Sequence, residues 1–303
     1  MAYYKSIKEL IGNTPIVRLN HMSLPEGTNI YAKLEMYNPS GSVKDRVGKY
    51  MIEDAEKNGR LKKGGTIIEA TAGNTGFGIA FAALGSGYRI IFVVPTKFAG
   101  DKLKLAQALG AEIIFTPREL GMMGARNKAD ELRGEIKNSI SLEQFKNAAN
   151  PLSHYETTGP EIWKDLEGNI DYFIAGAGSG GTYSGAVRYL KEQNPAVQGV
   201  LADPVGSTIG GGEHGDYDIE GIGNDFIADT MDISLVDKVI KITDNEAFNG
   251  SRMLARREGI FAGSSSGAAL CAALKLIDEG ARGNIAIILP DRGDRYISKG
   301  LYD

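Results

Sequence analysis

A single cysteine, Cys271, stands in the whole chain, so no disulfide can form within it and no cysteine-based zinc framework can be built. It lies in the apolar helical pattern GAALCAALKLI and reads as a core thiol. Histidine is almost as scarce: His21, His154 and His214 are scattered without metal-ligand spacing, and no metal site is predicted. No apolar run is long enough to span a bilayer. The opening residues MAYYKSIKELIGNTP lack the uninterrupted apolar core and cleavage site of a secretory signal, so a cytoplasmic location is expected. Charge is not concentrated either. The formal net charge is −4, and no cluster of lysine and arginine interleaves with aromatics, so the electrostatic footprint of a nucleic-acid binder is missing. Neither nucleic acid nor membrane is expected as a partner; small molecules are.

What is present suits a globular enzyme. The 303 residues are 42% hydrophobic and 24% charged, enough for two domains with substantial cores. Short β-branched runs alternate with longer helical patterns: TIIEA before GFGIAFAALG, RIIFVVP before DKLKLAQALG, YFIAGA before TYSGAVRYLKEQ. GVLADP, KVIKIT and NIAIILP continue the series, which predicts an α/β fold with parallel sheets flanked by helices. No low-complexity linker marks a boundary. The pattern breaks at QFKNAANP, residues 144–151, which places the domains at 1–146 and 147–303.

Three glycine- or serine-rich turns join strand-like to helix-like segments: Thr71-Ala72-Gly73-Asn74-Thr75-Gly76, Gly176-Ala177-Gly178-Ser179-Gly180-Gly181-Thr182, and Gly263-Ser264-Ser265-Ser266-Gly267. Each can aim unpaired helix-start amides at an anion. The second contains G-x-G-x-x-G at Gly176, Gly178 and Gly181, and Asp203 ends the next strand where a ribose-binding acid is expected. That motif alone reads as a dinucleotide site, but a turn approaching any phosphate selects glycine for the same reason.

Asn38-Pro39-Ser40-Gly41-Ser42-Val43-Lys44-Asp45-Arg46 decides between them. A lone lysine before a helix is usually solvated. Here the segment resembles the lysine motif of the cysteine synthase and cystathionine β-synthase family, of the tryptophan synthase β-subunit fold type. The resemblance runs through IGNTPIVRL, NPSGSVKDR, EATAGNTG, ALGAEI, QFKNAANP, HYETTGPEIW, AGAGSGGTYSG, EGIG, GSSSGAA and LPDRGDRYIS. It implies two three-layer α/β domains with twisted, largely parallel sheets and pyridoxal 5′-phosphate in the cleft between them. It also implies that the first ~35 residues pack onto the other domain.

Carried over position by position, the resemblance makes Lys44 the Schiff-base lysine. Gly178, Ser179, Gly180, Gly181 and Thr182 become the phosphate cradle, Asn74 the partner of the ring hydroxyl, and Ser265 the residue facing the pyridine nitrogen. Thr71, Ala72, Gly73, Asn74, Thr75 and Gln144 would surround the substrate carboxylate, with Gly221 also lining the substrate. The implied reaction is β-replacement through an aminoacrylate, from O-acetylserine or serine and a thiol. Homocysteine giving cystathionine is the expected acceptor; the alternatives are sulfide giving cysteine, or cysteine as donor with release of hydrogen sulfide. A homodimer follows from the resemblance only.

Departures sharpen this reading. Ala70 and Ala72 replace the proline and serine of many cysteine synthases, and Ala72 with EGIGNDFI resembles the bacterial O-acetylserine-dependent cystathionine β-synthases more closely. Arg292 stands where serine is usual, near the expected ring-nitrogen side. Asn224 and Asp225 could contact the acceptor or be solvated loop positions. Leu120-Gly121-Met122-Met123-Gly124 reads equally as core packing or as part of a mobile region that closes over substrate.

Overall fold

The computed structural model describes residues 3–98 and 101–303, and in it the chain divides into two compact units. The first gathers the described residues up to Ile11 with Lys44–Ala149, and the second gathers Gly12–Val43 with Asn150–Asp303. Ten strands form among the described residues: β1 (Ile16–Arg18), β2 (Thr28–Leu34), β3 (Thr66–Ala70), β4 (Arg89–Pro95), β5 (Glu112–Thr116), β6 (Ser139–Ile140), β7 (Tyr172–Ala175), β8 (Gln198–Pro204), β9 (Lys238–Ile242) and β10 (Gly283–Leu289).

The first unit holds a wholly parallel sheet in the order β5-β4-β3-β6. Side chains alternate across a strand, so an unbroken apolar run such as IIFVVP, residues 90–95, must bury both faces. It does. Ile90, Phe92 and Val94 pack with Val47, Met51 and Ile52 of the helix Lys44–Lys57, and with Ile79 of the helix Asn74–Ala82. Ile91 and Val93 pack on the opposite side with Ala125, Ala129 and Leu132 of the helix Gly121–Glu135. The product is the three-layer arrangement that strand–helix alternation implies.

The second unit repeats the plan with six strands in the order β1-β2-β10-β7-β8-β9, where only β1 runs antiparallel. Ile285, Ile287 and Leu289 face the helix Ser264–Asp278, whereas Ala286 and Ile288 face the helix Gly181–Gln193. Residues 12–43 belong here because β2 completes the sheet, Thr28 lying opposite Gly283 and Leu34 opposite Leu289. β2 also carries Lys33, which is wholly buried. Its ammonium donates to the Thr14 carbonyl at 2.6 Å and pairs with Glu161 at 3.0 Å and Asp165 at 3.2 Å. Such pairing is what makes a buried charge tolerable, and it ties the strand to the helix Gly159–Asp165. No helix among the described residues is long and apolar enough to cross a membrane.

Candidate active site

In the first unit Lys44 is the opening residue of its helix and is partly buried, flanked by buried Val43, Asp45 and Arg46. Two glycines fix its place. The helices Lys44–Lys57 and Asn74–Ala82 touch backbone to backbone: a Cβ on Gly48 would overlap the Gly78 carbonyl, and a Cβ on Gly78 would overlap the carbonyl of Lys44 itself. The start of the lysine helix is thereby locked against the helix that carries Asn74 and Thr75.

That second helix begins as an anion site should. Its N-cap is Gly73, in extended backbone at φ −126°, and no side chain caps the first turn. Gly73 brings no capping side chain of its own, and the opening amides carry the positive end of the helix dipole. Thr71 and Thr75 are buried while Gly73 is exposed, so the turn Thr71–Thr75 is open along Ala72 to Asn74. The Thr75 hydroxyl donates to Gln144 Oε1 at 2.7 Å, bringing together two residues 69 positions apart.

In the second unit, the turn after β7 forms a cradle at the start of the helix Gly181–Gln193. Gly180 caps it with a left-handed φ of +82°, which glycine adopts without strain, and no side chain occupies the cap. A Cβ on Gly178 would lie 2.8 Å from the Gly221 carbonyl, one on Gly180 would overlap Met231, and one on Gly181 would overlap the Asn150 carboxamide. First-turn amides with the Ser179 and Thr182 hydroxyls make a donor set that fits a phosphate monoester without arginine. Two residues not picked out in the sequence support those hydroxyls. Asn150 Nδ2 donates to Ser179 Oγ at 2.9 Å, and His154 Nε2 lies 3.2 Å from Thr182 Oγ1 while its Nδ1 lies 2.8 Å from Thr158 Oγ1. The motifs QFKNAANP and HYETTGPEIW flag their neighbourhood but give no sign of their target.

The same geometry removes the dinucleotide reading. Asp203 is wholly buried, with Oδ2 2.5 Å from Lys241 Nζ and accepting from Gly210 N–H at 3.0 Å, so it serves as a structural clamp. The Glu220–Gly223 segment leans on the cradle through a Gly223 N–H bond to the Ala177 carbonyl at 2.7 Å, and on the serine turn through a Glu220 N–H bond to Ser264 Oγ at 3.1 Å. Ser265 is buried beside it at the start of the helix Ser264–Asp278.

Other expectations resolve in place. Arg292 is exposed, pairs with Asp294 at 2.8 Å and lays its stem against Gly41. Asn224 secures its loop through backbone bonds with Ser207 and Thr208, and Asp225 is exposed. Leu120 and Met123 are 57% and 63% exposed, which corrects the core-packing alternative for that stretch; they line an open groove with Phe115. Cys271 is partly buried and donates to the Glu246 carbonyl at 3.1 Å, and burial pushes its thiol up to about 11.

The family described as pyridoxal-phosphate dependent enzyme matches residues 7–291. The chain is 52% identical over 304 residues to the O-acetylserine dependent cystathionine beta-synthase of Bacillus subtilis (strain 168), covering 100% of this chain and 99% of that protein. It is 44% identical to a cysteine synthase of Helicobacter pylori (strain ATCC 700392 / 26695), covering 100% of both. The crystal structure of O-acetylserine dependent cystathionine beta-synthase from Helicobacter pylori superposes with a TM-score of 0.94 at 43% identity, again covering 100% of both. The chain therefore belongs to the pyridoxal-phosphate dependent enzymes, in the branch of the cysteine synthases and cystathionine β-synthases.

Proposed function

We propose that this protein joins O-acetylserine to homocysteine, releasing acetate and giving cystathionine. The full-length identity of 52% to a protein named for that chemistry carries the choice of acceptor. Lys44 would bond the cofactor, Gly178 to Thr182 would hold its phosphate, and Asn74 and Ser265 would meet its ring hydroxyl and ring nitrogen. When bound, the cofactor supplies a sink for negative charge at the donor's Cα. A neutral serine at the ring nitrogen keeps that sink moderate, which suits replacement better than transamination.

The protein's own groups do the remainder. The turn Thr71–Thr75, with Gln144, binds the donor carboxylate at helix-start amides lacking a capping side chain. Once the donor's amine has displaced it from the cofactor, the Lys44 amine would take the proton from Cα as acetate leaves Cβ; the acceptor adds to Cβ as a thiolate, its thiol proton passing to solvent, and Lys44 returns its own proton to Cα. Gly221 lines the substrate, and Ala72, where a serine hydroxyl is common, leaves room for an acceptor larger than sulfide.

A second reading has its own support. The 44% identity to a cysteine synthase favours sulfide as acceptor, with cysteine as product, and the same chemistry run on cysteine as donor releases hydrogen sulfide. Products measured across O-acetylserine, serine and cysteine as donors and homocysteine, sulfide, cysteine and water as acceptors decide. Cystathionine from O-acetylserine and homocysteine is expected; rapid cysteine formation from sulfide with no cystathionine contradicts the acceptor proposed. We place the enzyme in the cytoplasm as a homodimer, and light scattering that returned a monomer at working concentration would refute the dimer.

A further inference from the structure

β3 reads Thr66-Ile67-Ile68-Glu69-Ala70, and a lone carboxylate in such a strand is costly unless it is well partnered. Glu69 is half-buried, and one of its oxygens, Oε1, accepts three hydrogen bonds. The Ser141 hydroxyl donates at 3.0 Å, the Glu143 N–H at 3.2 Å, and the Leu142 N–H donates as well. Consecutive backbone amides converging on one anion form a nest. The loop so gathered is unusual, since Glu143 takes a left-handed φ of +52° without being glycine, a conformation that persists only where the surroundings impose it. It then closes on itself: Lys146 and Asn147 N–H donate to the Glu143 carbonyl at 2.8 and 2.9 Å, and Asn147 Nδ2 donates to the Leu142 carbonyl at 2.9 Å. Gln144 follows directly, and its Oε1 accepts from the Thr75 hydroxyl at 2.7 Å.

We propose that Glu69 is a positioning residue for donor binding: its carboxylate folds the 141–143 loop so that Gln144 meets Thr75 and presents its amide to the donor's carboxylate. This rests on the carboxylate-binding role given above to Thr75 and Gln144. A leucine would satisfy a purely packing role at the end of β3. Charge-assisted bonds to amides make a carboxylate the better organiser of a loop.

The test uses the holoenzyme and four variants: Glu69→Ala, Glu69→Gln, Gln144→Ala and the double variant Glu69→Ala/Gln144→Ala. Donor KM, kcat at saturating donor, and amide hydrogen exchange at Leu142 and Glu143 without donor are measured. Glu69→Ala is expected to raise donor KM roughly ten- to hundredfold with kcat changed less than about threefold, the loss of one charge-assisted contact. Protection at Leu142 and Glu143 falls in the same variant. In the Gln144→Ala background the same substitution is expected to change KM less than about twofold, because both act through one group. A wild-type KM in Glu69→Ala, or a full additional rise in the double variant, overturns the inference while leaving the Gln144 role standing. A wild-type KM in Gln144→Ala overturns that role itself. If Glu69→Ala does not fold, Glu69→Gln decides, with a several-fold rise in KM expected and an unchanged KM contradicting.

Discussion

Replacing Gly78 by alanine tests whether the contact between two helices sets the position of Lys44. The added Cβ would overlap the Lys44 carbonyl, and because that neighbour is backbone it cannot swing aside as a side chain would. The helices Lys44–Lys57 and Asn74–Ala82 must separate instead. Overpacking of this kind costs about 1–3 kcal/mol, and a displacement of ~1 Å at a reacting group costs on the order of a hundredfold in rate. Gly78→Ala is therefore expected to lower the melting temperature by several degrees, roughly 2–8 °C. It should cut kcat/KM far more than that stability loss explains. The control is Gly134→Ala, inside the helix Gly121–Glu135, where a Cβ meets nothing within 4 Å. There the gain in helix propensity is expected to raise stability by about 0.5–1 kcal/mol with activity unchanged. A Gly78→Ala enzyme with wild-type melting and turnover refutes the assignment.

Three further outcomes follow from the geometry. Gly178→Ala pushes a methyl group to 2.8 Å from the Gly221 carbonyl, so pyridoxal 5′-phosphate should bind about tenfold more weakly while pyridoxal, which lacks the phosphate, is little affected. Equal weakening of both contradicts the cradle. Lys33→Met strands Glu161 and Asp165 without their cation, and a loss on the order of 3 kcal/mol in denaturant unfolding is expected; a change under about 1 kcal/mol means the clamp is not holding β2. Burial pushes the Glu69 carboxyl above the ordinary glutamate value, against the pull of its three hydrogen bonds. A raised carboxyl gives its full stabilisation only below the ordinary value and loses it as pH rises through the folded one. Glutamine does not titrate, so the melting temperature of Glu69→Gln relative to wild type should climb as pH rises from the ordinary glutamate value through the raised folded one. A difference that narrows with rising pH contradicts this.

Much of the fold was legible because buried parallel strands write themselves locally. IIFVVP, FIAGA and IAIILP are apolar at every step, since both faces are covered, and the turns after β3 and β7 carry glycine where backbones meet. What stayed hidden depends on distant pairing. Nothing in residues 12–43 says that β2 lies beside β10, some 250 positions on. Asn150 reads as part of the break at 144–151 and His154 as one of three scattered histidines, and only the folded helix start shows that they meet Ser179 and Thr182. Asp203 misled for the opposite reason: its spacing suits a ribose, and its commitment to Lys241 is visible only once β8 and β9 pair. The role of Glu69 was equally silent, because its partners lie 72 to 74 residues away.

The central claim is that Lys44, among the many lysines of the chain, bonds the cofactor. Borohydride reduction of the holoenzyme, followed by protease digestion and mass spectrometry, tests it directly. A cofactor-derived mass on the peptide containing Lys44, absent from Lys44→Ala protein that folds but does not turn over, is the predicted result. A modification at any other lysine, or none at all, contradicts it.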